Sequence, residues 1–233
     1  MEPELVNKQA KELGISPVEI VREEMEVFIV DALSRSKISN RIVFKGGTAL
    51  RLVYGSPRFS QDLDFSLIKN SNFPEFVRVI KKIEKSRDGL AIKDIYDKRN
   101  TLFALLLVKN KLLNQSFFIK VEISKKKYGL KKSDYELKAV RSPVSILTPL
   151  IDTYSLERIF YEKKLAVKSR QEPRDYFDLW WLGEKLGKKI QIGQPKIHRG
   201  KFAGEISQLL PDYLKSWPKN FLIPLRSHPS IKK

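Results

Sequence analysis

Residues Lys45–Leu67 read KGGTALRLVYGSPRFSQDLDFSL, and the fold turns on two features of this stretch. Ile42–Phe44, just ahead of it, is an apolar run with the length of a short strand; Gly46-Gly47-Thr48 ends that run and opens a helical turn or two through Tyr54. Asp62–Leu67 alternates polar with apolar residues and reads as a second strand. In a strand, residues two apart share a face and stand about 7 Å apart at ~3.3 Å per residue. Asp62 and Asp64 therefore project together, and Leu63 and Phe65 turn to the core.

Two convergent carboxylates suit a hard divalent cation such as Mg2+ or Mn2+, which takes oxygen ligands and completes its shell with phosphate oxygens. A pair of such ions can activate an attacking hydroxyl and stabilise a leaving pyrophosphate. Asp62 and Asp64 are thus expected to hold metal and serve catalysis. The start of a helix presents free backbone N–H groups and the positive end of its dipole, and glycine lets a phosphate approach because no Cβ intervenes. Gly46 and Gly47, with Thr48 adding a hydroxyl donor and Lys45 a positive charge, are the expected cradle of a nucleoside triphosphate. A lone glycine pair or a lone Asp-x-Asp is more often structural; in this order, on strand and helix, the functional reading wins.

A third acid is common in two-metal sites. In Phe118–Ile123 alternation puts Lys120 and Glu122 on one face; Glu122 completes the metal site if this strand lies beside that of Asp62, and otherwise is a solvent-facing strand residue. The last informative stretch is Glu157–Leu182, ERIFYEKKLAVKSRQEPRDYFDLWWL. Helical spacing gives Arg174 and Asp178 one face, and Asp175 and Asp178 likewise. Lys163 lies on the preceding helix. A Lys163–Asp178 pair either faces a nucleotide pocket, where Lys163 offsets triphosphate charge and Asp178 positions it, or forms a salt bridge locking two helices. Trp180, Trp181 and Leu182 read as core rather than as a base-stacking platform.

The rest of the composition narrows the chemistry. The 233 residues contain no cysteine and two histidines, His198 and His228, which leaves disulfides and thiolate or histidine metal sites out of account. The net charge of +18 suits a polyanionic partner, nucleotide or RNA. The acidic N-terminus lacks an apolar core and does not read as a signal peptide, no apolar run approaches the ~20 residues of a membrane span, and the expected location is cytoplasmic.

The order of elements points to an α+β fold. Helices at Glu4–Leu13 and from Pro17 to about Ser34 precede the first strand. Pro74–Lys85 reads as a crossover helix, Leu90–Tyr96, Thr101–Val108 and Phe117–Ile123 as strands, and Lys125–Lys132 as a basic loop. Ser145–Lys168 and Arg174–Leu186 read as helices. Prolines at 195, 211, 218, 224 and 229 should break the tail, leaving Phe202–Leu210 helical. Ser142-Pro143 is the natural boundary between the sheet-bearing domain with its N-terminal helices at 1–142 and a helical part at 143–233.

The stretches FKGGTALRLVYG and RFSQDLDFS closely resemble the AbiEii/AbiGii nucleotidyltransferase-like toxins of type IV toxin–antitoxin and abortive-infection systems. EKKLAVKSRQEPRDYFDL is similar to that family's later motifs, a lysine on one helix followed by R-D-x-x-D-L. The resemblance spans about residues 40–185. It implies a polymerase-beta-like fold with a small mixed sheet and a helical C-terminal part. Gly46, Gly47 and Thr48 match the nucleotide-binding loop, Asp62 and Asp64 the metal-binding acids, Lys163 the motif lysine (Lys164 if the register slips by one) and Asp178 the motif aspartate. It further implies transfer of nucleotides from a triphosphate to RNA, with tRNA 3′ ends as targets of some members, and an antitoxin that need not touch the toxin. The basic, proline-broken tail departs from the pattern. Two other readings remain at this point: a nucleotide- or RNA-binding regulator without turnover, and transfer to a protein or small-molecule acceptor.

Overall fold

The computed structural model describes residues 3–126, 129–190 and 195–222; Pro224, His228 and Pro229 of the tail lie outside them. Two helices, α1 (Pro3–Leu13) and α2 (Pro17–Ser34), lead into β1 (Ile42–Lys45), α3 (Gly46–Tyr54), β2 (Asp62–Leu67) and α4 (Phe73–Lys85). The chain continues through β3 (Leu90–Lys98), β4 (Thr101–Val108), β5 (Phe117–Ser124), β6 (Tyr135–Ala139) and β7 (Leu150–Tyr154), then α5 (Leu156–Ser169), α6 (Pro173–Leu186), α7 (Arg199–Ser207) and α8 (Trp217–Phe221). The seven strands form one mixed sheet in the order β3-β4-β5-β2-β1-β7-β6.

Local chemistry fixes several of these boundaries. The Ser16 hydroxyl accepts from the Val18 N–H and Pro17 opens α2, as the sequence predicts. Asn72 caps α4 in the same way, accepting from the Glu75 N–H, with Pro74 in the first turn. One expectation is corrected: Ser145–Lys168 is not a single helix. Leu150–Tyr154 is a strand, paired parallel to β1 at Phe44↔Thr153 and antiparallel to β6 over its full length. Sheet hydrogen bonds on both sides and burial of Ile151, Thr153 and Tyr154 outweigh the local helical pattern, and α5 starts only at the Ser155 cap. The sheet therefore extends across the 142/143 position.

The two faces of the sheet are covered differently, and this makes the cleft. On the far face Phe44, Leu63, Phe65, Leu102, Leu106, Ile119, Val121 and Ile123 are buried against α2 and α4 in the main core. On the other face, α5 and α6 cover the β1–β7 half, where Val43, Tyr154, Ile159 and Leu182 pack together. Beyond β2 this cover ends, and Tyr96 of β3 and Phe118 of β5 are each 46% exposed. Residues 197–222 are not an appendage. Phe202, Ile206, Leu210, Trp217 and Leu222 pack on Tyr176 and Phe177 of α6, with Trp180 and Trp181 at the margin, so both tryptophans belong to the core as read from sequence. The Phe59 N–H donates to the Leu209 carbonyl, tying this tail to the segment between α3 and β2.

Candidate active site

The site is assembled by strand register. β1 and β2 are antiparallel with Lys45 opposite Asp64, and β2 and β5 are parallel with Asp62 beside Lys120 and Asp64 beside Glu122. Pairing of β5 with β2 is the condition on which Glu122 joins the acids, and it is met. Lys45, Asp62, Asp64, Lys120 and Glu122 consequently share the face on which the helical cover ends.

The glycines fit this strand closely. Gly46 has φ +81°, and a Cβ there would stand 2.7 Å from Asp64 Oδ2. A Cβ on Gly47 would meet Arg58 Nη2 at 2.2 Å and Ser60 Oγ at 2.8 Å. Side-chain bulk is therefore excluded first by Asp64 and Arg58, whatever ligand binds. Lys45 provides no side-chain cap to α3, whose N-terminal end lies next to Asp64. Thr48 differs from expectation. It is 1% exposed, and its hydroxyl donates to the Asp62 carbonyl. It holds β2 to α3 and is not a free donor facing the cleft.

The charges around the acids are distributed unevenly. Lys120 Nζ lies 3.1 Å and Arg174 Nη1 3.4 Å from Asp62 Oδ2, so α6 brings Arg174 against the acids. Lys45 Nζ lies 3.2 Å from Glu162 Oε2 on α5. Burial, and then the neighbouring Asp62 carboxylate, push the Asp64 carboxyl above its ordinary range; Glu122 adds to this, while Lys45 and Lys163 oppose it. Among the described residues no three acids or histidines converge closely enough to cage an ion as they stand. The donor set nonetheless fits a hard cation: oxygen ligands only, two on one strand and the third at the register partner of Asp64.

Lys163 and Asp178 sit behind this face. Lys163 is 7% exposed and bridges Asp175 Oδ1 at 2.8 Å and Asp178 Oδ2, whereas Lys164 is exposed and lies over the Phe160 ring, so the inward lysine is Lys163. Asp178 is fully buried and takes a two-pronged ion pair from Arg58, Nε at 2.7 Å and Nη2 at 2.8 Å. Arg170 grips Asp175 from Nε at 2.6 Å and Nη2 at 3.0 Å. Burial alone would raise both carboxyls; Arg58 and Lys163 at Asp178, and Lys163 and Arg170 at Asp175, hold them below the ordinary range instead. Asp178 thus meets the cleft through Lys163 and through Arg58, whose Nη2 lies against Gly47. Arg58, Lys120, Glu162 and Arg170 are residues the sequence reading did not assign. Only Lys120 carried a signal, its alternation with Glu122. A separate groove of about 710 Å³ between α2 and α4, lined by Phe28, Arg35, Arg78 and Val79 among others, lies on the far side of the sheet from the acids.

A mixed sheet with paired acids on one strand, beside a helix opened by glycines, defines the nucleotidyltransferase class. Comparison with known proteins agrees. Residues 28–203 match the family described as "Nucleotidyl transferase AbiEii toxin, Type IV TA system". The fold is similar to that of JHP933 from Helicobacter pylori (TM-score 0.56, 23% identity, 89% of this chain and 78% of that one). It is also similar to MenT4, nucleotidyltransferase toxin Rv2826c from Mycobacterium tuberculosis H37Rv (TM-score 0.64, 20% identity, 89% and 70%). A search of curated proteins gave no match. The chain belongs to the AbiEii family of nucleotidyltransferase toxins.

Proposed function

We propose that the cleft transfers a nucleotide from a nucleoside triphosphate to the 3′ hydroxyl of an RNA, tRNA in particular, in a divalent-cation-dependent reaction. The observation that carries this reading is the register of β2 with β5, which adds Glu122 to Asp62 and Asp64 beside the uncapped start of α3. In this scheme Asp62, Asp64 and Glu122 hold Mg2+, which when bound supplies positive charge to the triphosphate and its leaving group. Lys45, Arg174 and the N–H groups at Gly46 and Gly47 receive the phosphates. The acceptor oxygen bonds to the α-phosphorus, its proton is taken by a cleft carboxylate, and the bond to pyrophosphate breaks. Lys163 orients the site from behind, and Asp178, with Arg58, fixes Lys163; Asp178 is a positioning residue. The net charge of +18 favours a polyanionic acceptor over a cationic small molecule. A cognate antitoxin is expected from the family and need not contact this chain.

The test is incubation of the protein with Mg2+, total tRNA and each labelled nucleoside triphosphate in turn, alongside Asp62→Ala and Asp64→Ala. Label entering RNA only with intact acids supports the reading and identifies the nucleotide. Label in protein moves the acceptor to a polypeptide. RNA labelling that survives Asp64→Ala overturns the assignment of the acids.

A further inference from the structure

The acids do not stand alone on their face of the sheet. Asp64 on β2 is in register with Glu122 on β5, Glu122 with Phe103 on β4, and Phe103 with Tyr96 on β3. This is one continuous row, acid, acid, aromatic, aromatic, across four neighbouring strands. At ~4.8 Å between strands, Tyr96 lies about 14 Å from Asp64. The Tyr96 ring stacks on Phe103, centroids 5.7 Å apart at 20°, and Lys98 Nζ sits 3.8 Å from the Phe103 centroid. One row over, Asp62 pairs with Lys120, Lys120 with Leu105 and Leu105 with Asp94, which hydrogen-bonds Tyr96; the next places Phe118 beside Leu107. Tyr96 and Phe118 are half exposed, and Lys98 is exposed. An open aromatic surface on a folded chain generally marks a binding surface.

We infer that this open half of the sheet is the docking platform for an unpaired nucleic-acid strand, its bases stacking on Tyr96 and Phe118 and its phosphates drawn by Lys98 and Lys120. The inference rests on the RNA-acceptor reading above and adds where and in what form the acceptor lies. Three features favour this occupant over a peptide or a second copy. Lys98 lies over both the Phe103 and the Tyr96 rings, a pairing of cation and ring that suits single strands without sequence preference, while Asp94 holds the Tyr96 hydroxyl and Lys120 pairs with Asp62. The chain is strongly basic. The Tyr96–Phe103 row also runs without interruption into the acid pair, so a strand laid along it brings its end to the reacting centre, with Phe118, four residues along β5 from Glu122, to one side of that path. Against ~3.4 Å per stacked nucleotide, ~14 Å accommodates about three or four unpaired nucleotides.

The experiment uses the full chain with fluorescently labelled oligoribonucleotides, a single-stranded 8-mer and a blunt duplex of the same length. Binding is followed by anisotropy in Mg2+-free buffer, and transfer is measured separately. Tyr96→Ala and Phe118→Ala are each expected to weaken single-strand binding about tenfold, and Tyr96→Phe to stay within about twofold of wild type. The duplex should bind more weakly and be insensitive to Tyr96→Ala. In the transfer assay Tyr96→Ala should raise KM for RNA and leave KM for the nucleoside triphosphate unchanged. Single-strand binding through Tyr96 without any RNA labelling would uphold the platform and sink the RNA-acceptor reaction. RNA labelling with binding and KM indifferent to both alanine variants would overturn the platform and spare the reaction. A shift in sedimentation coefficient on Tyr96→Ala, with RNA binding unchanged, would reassign the face to self-association.

Discussion

The carboxylates of the cleft and those beneath α5 and α6 have the same chemistry in opposite surroundings. Asp175 and Asp178 share three cations, Lys163, Arg58 and Arg170, at hydrogen-bonding distances, and their carboxyls are held below the ordinary range although no solvent reaches them. Asp64, by contrast, is pushed upward by burial first and then by the Asp62 carboxylate, with Glu122 adding to it. The balanced cluster holds two helices and a loop together. In the cleft, at the edge of the helical cover, Lys120 and Arg174 both pair with Asp62 and Lys45 pairs with Glu162, so Asp64 and Glu122 are the acids suited to take positive charge from a ligand. The comparison separates scaffold from site among acids that look alike in the sequence.

The largest effect should come from breaking the balanced cluster. Asp178→Ala leaves Arg58 and Lys163 buried with one fewer anion, and removal of one partner from a buried pair costs about 3–5 kcal/mol. Urea denaturation should register that loss, with a smaller one for Asp178→Asn, which keeps the shape and can still accept hydrogen bonds. A pH dependence follows with a definite sign. Because the folded-state values of Asp175 and Asp178 lie below the unfolded value of ~3.9, their contribution is complete above that value and is lost as pH falls through the folded-state values. Wild-type stability measured stepwise below about pH 4 should therefore decline more steeply than that of Asp178→Asn. Parallel slopes would mean that Asp178 is not held ionised by its partners.

The cleft should answer with the opposite sign. Asp64→Asn removes a charge from a like-charged cluster, so it should abolish nucleotide transfer yet raise stability by about 0.5–2 kcal/mol, the usual exchange between a strained site and its scaffold. A thermal melt without metal checks this; a variant less stable than wild type would mean that the Asp64 charge is structurally required, and the contrast between the two clusters would fail.

How far this contrast was legible in advance differs by residue. Asp62 and Asp64 were readable because their relation is local: two positions on one strand. The shared face of Asp175 and Asp178 followed equally from helical spacing. Glu122 could be named but not placed, because its neighbour Asp64 is fixed by β2–β5 pairing, which no local pattern encodes. Arg58 left no trace; it lies in the irregular segment between α3 and β2, and its partner is 120 positions away. The strand Leu150–Tyr154 was hidden inside a helical pattern because five residues are too few to show a period, and its hydrogen bonds come from β1 and β6. A local sign did exist in Ser155, whose hydroxyl accepts from the Arg158 N–H and marks where the helix starts.

Thr48 sharpens the comparison at its smallest scale, because it was expected on the ligand side and belongs to the scaffold. Its hydroxyl donates to the backbone carbonyl of Asp62, the residue whose side chain meets Lys120 and Arg174, and thereby sets the height of the acid strand against the start of α3. Thr48→Val keeps the volume and leaves that carbonyl without its side-chain donor at a position 1% exposed, which should cost about 1 kcal/mol. Thr48→Ser should restore most of it, since the hydroxyl is what matters. If Thr48 acts only by positioning Asp62, the valine variant should lower kcat and leave KM for the nucleoside triphosphate near wild type. A rise in that KM with kcat unchanged would put the hydroxyl on the phosphates after all, and would move Thr48 from the scaffold to the site.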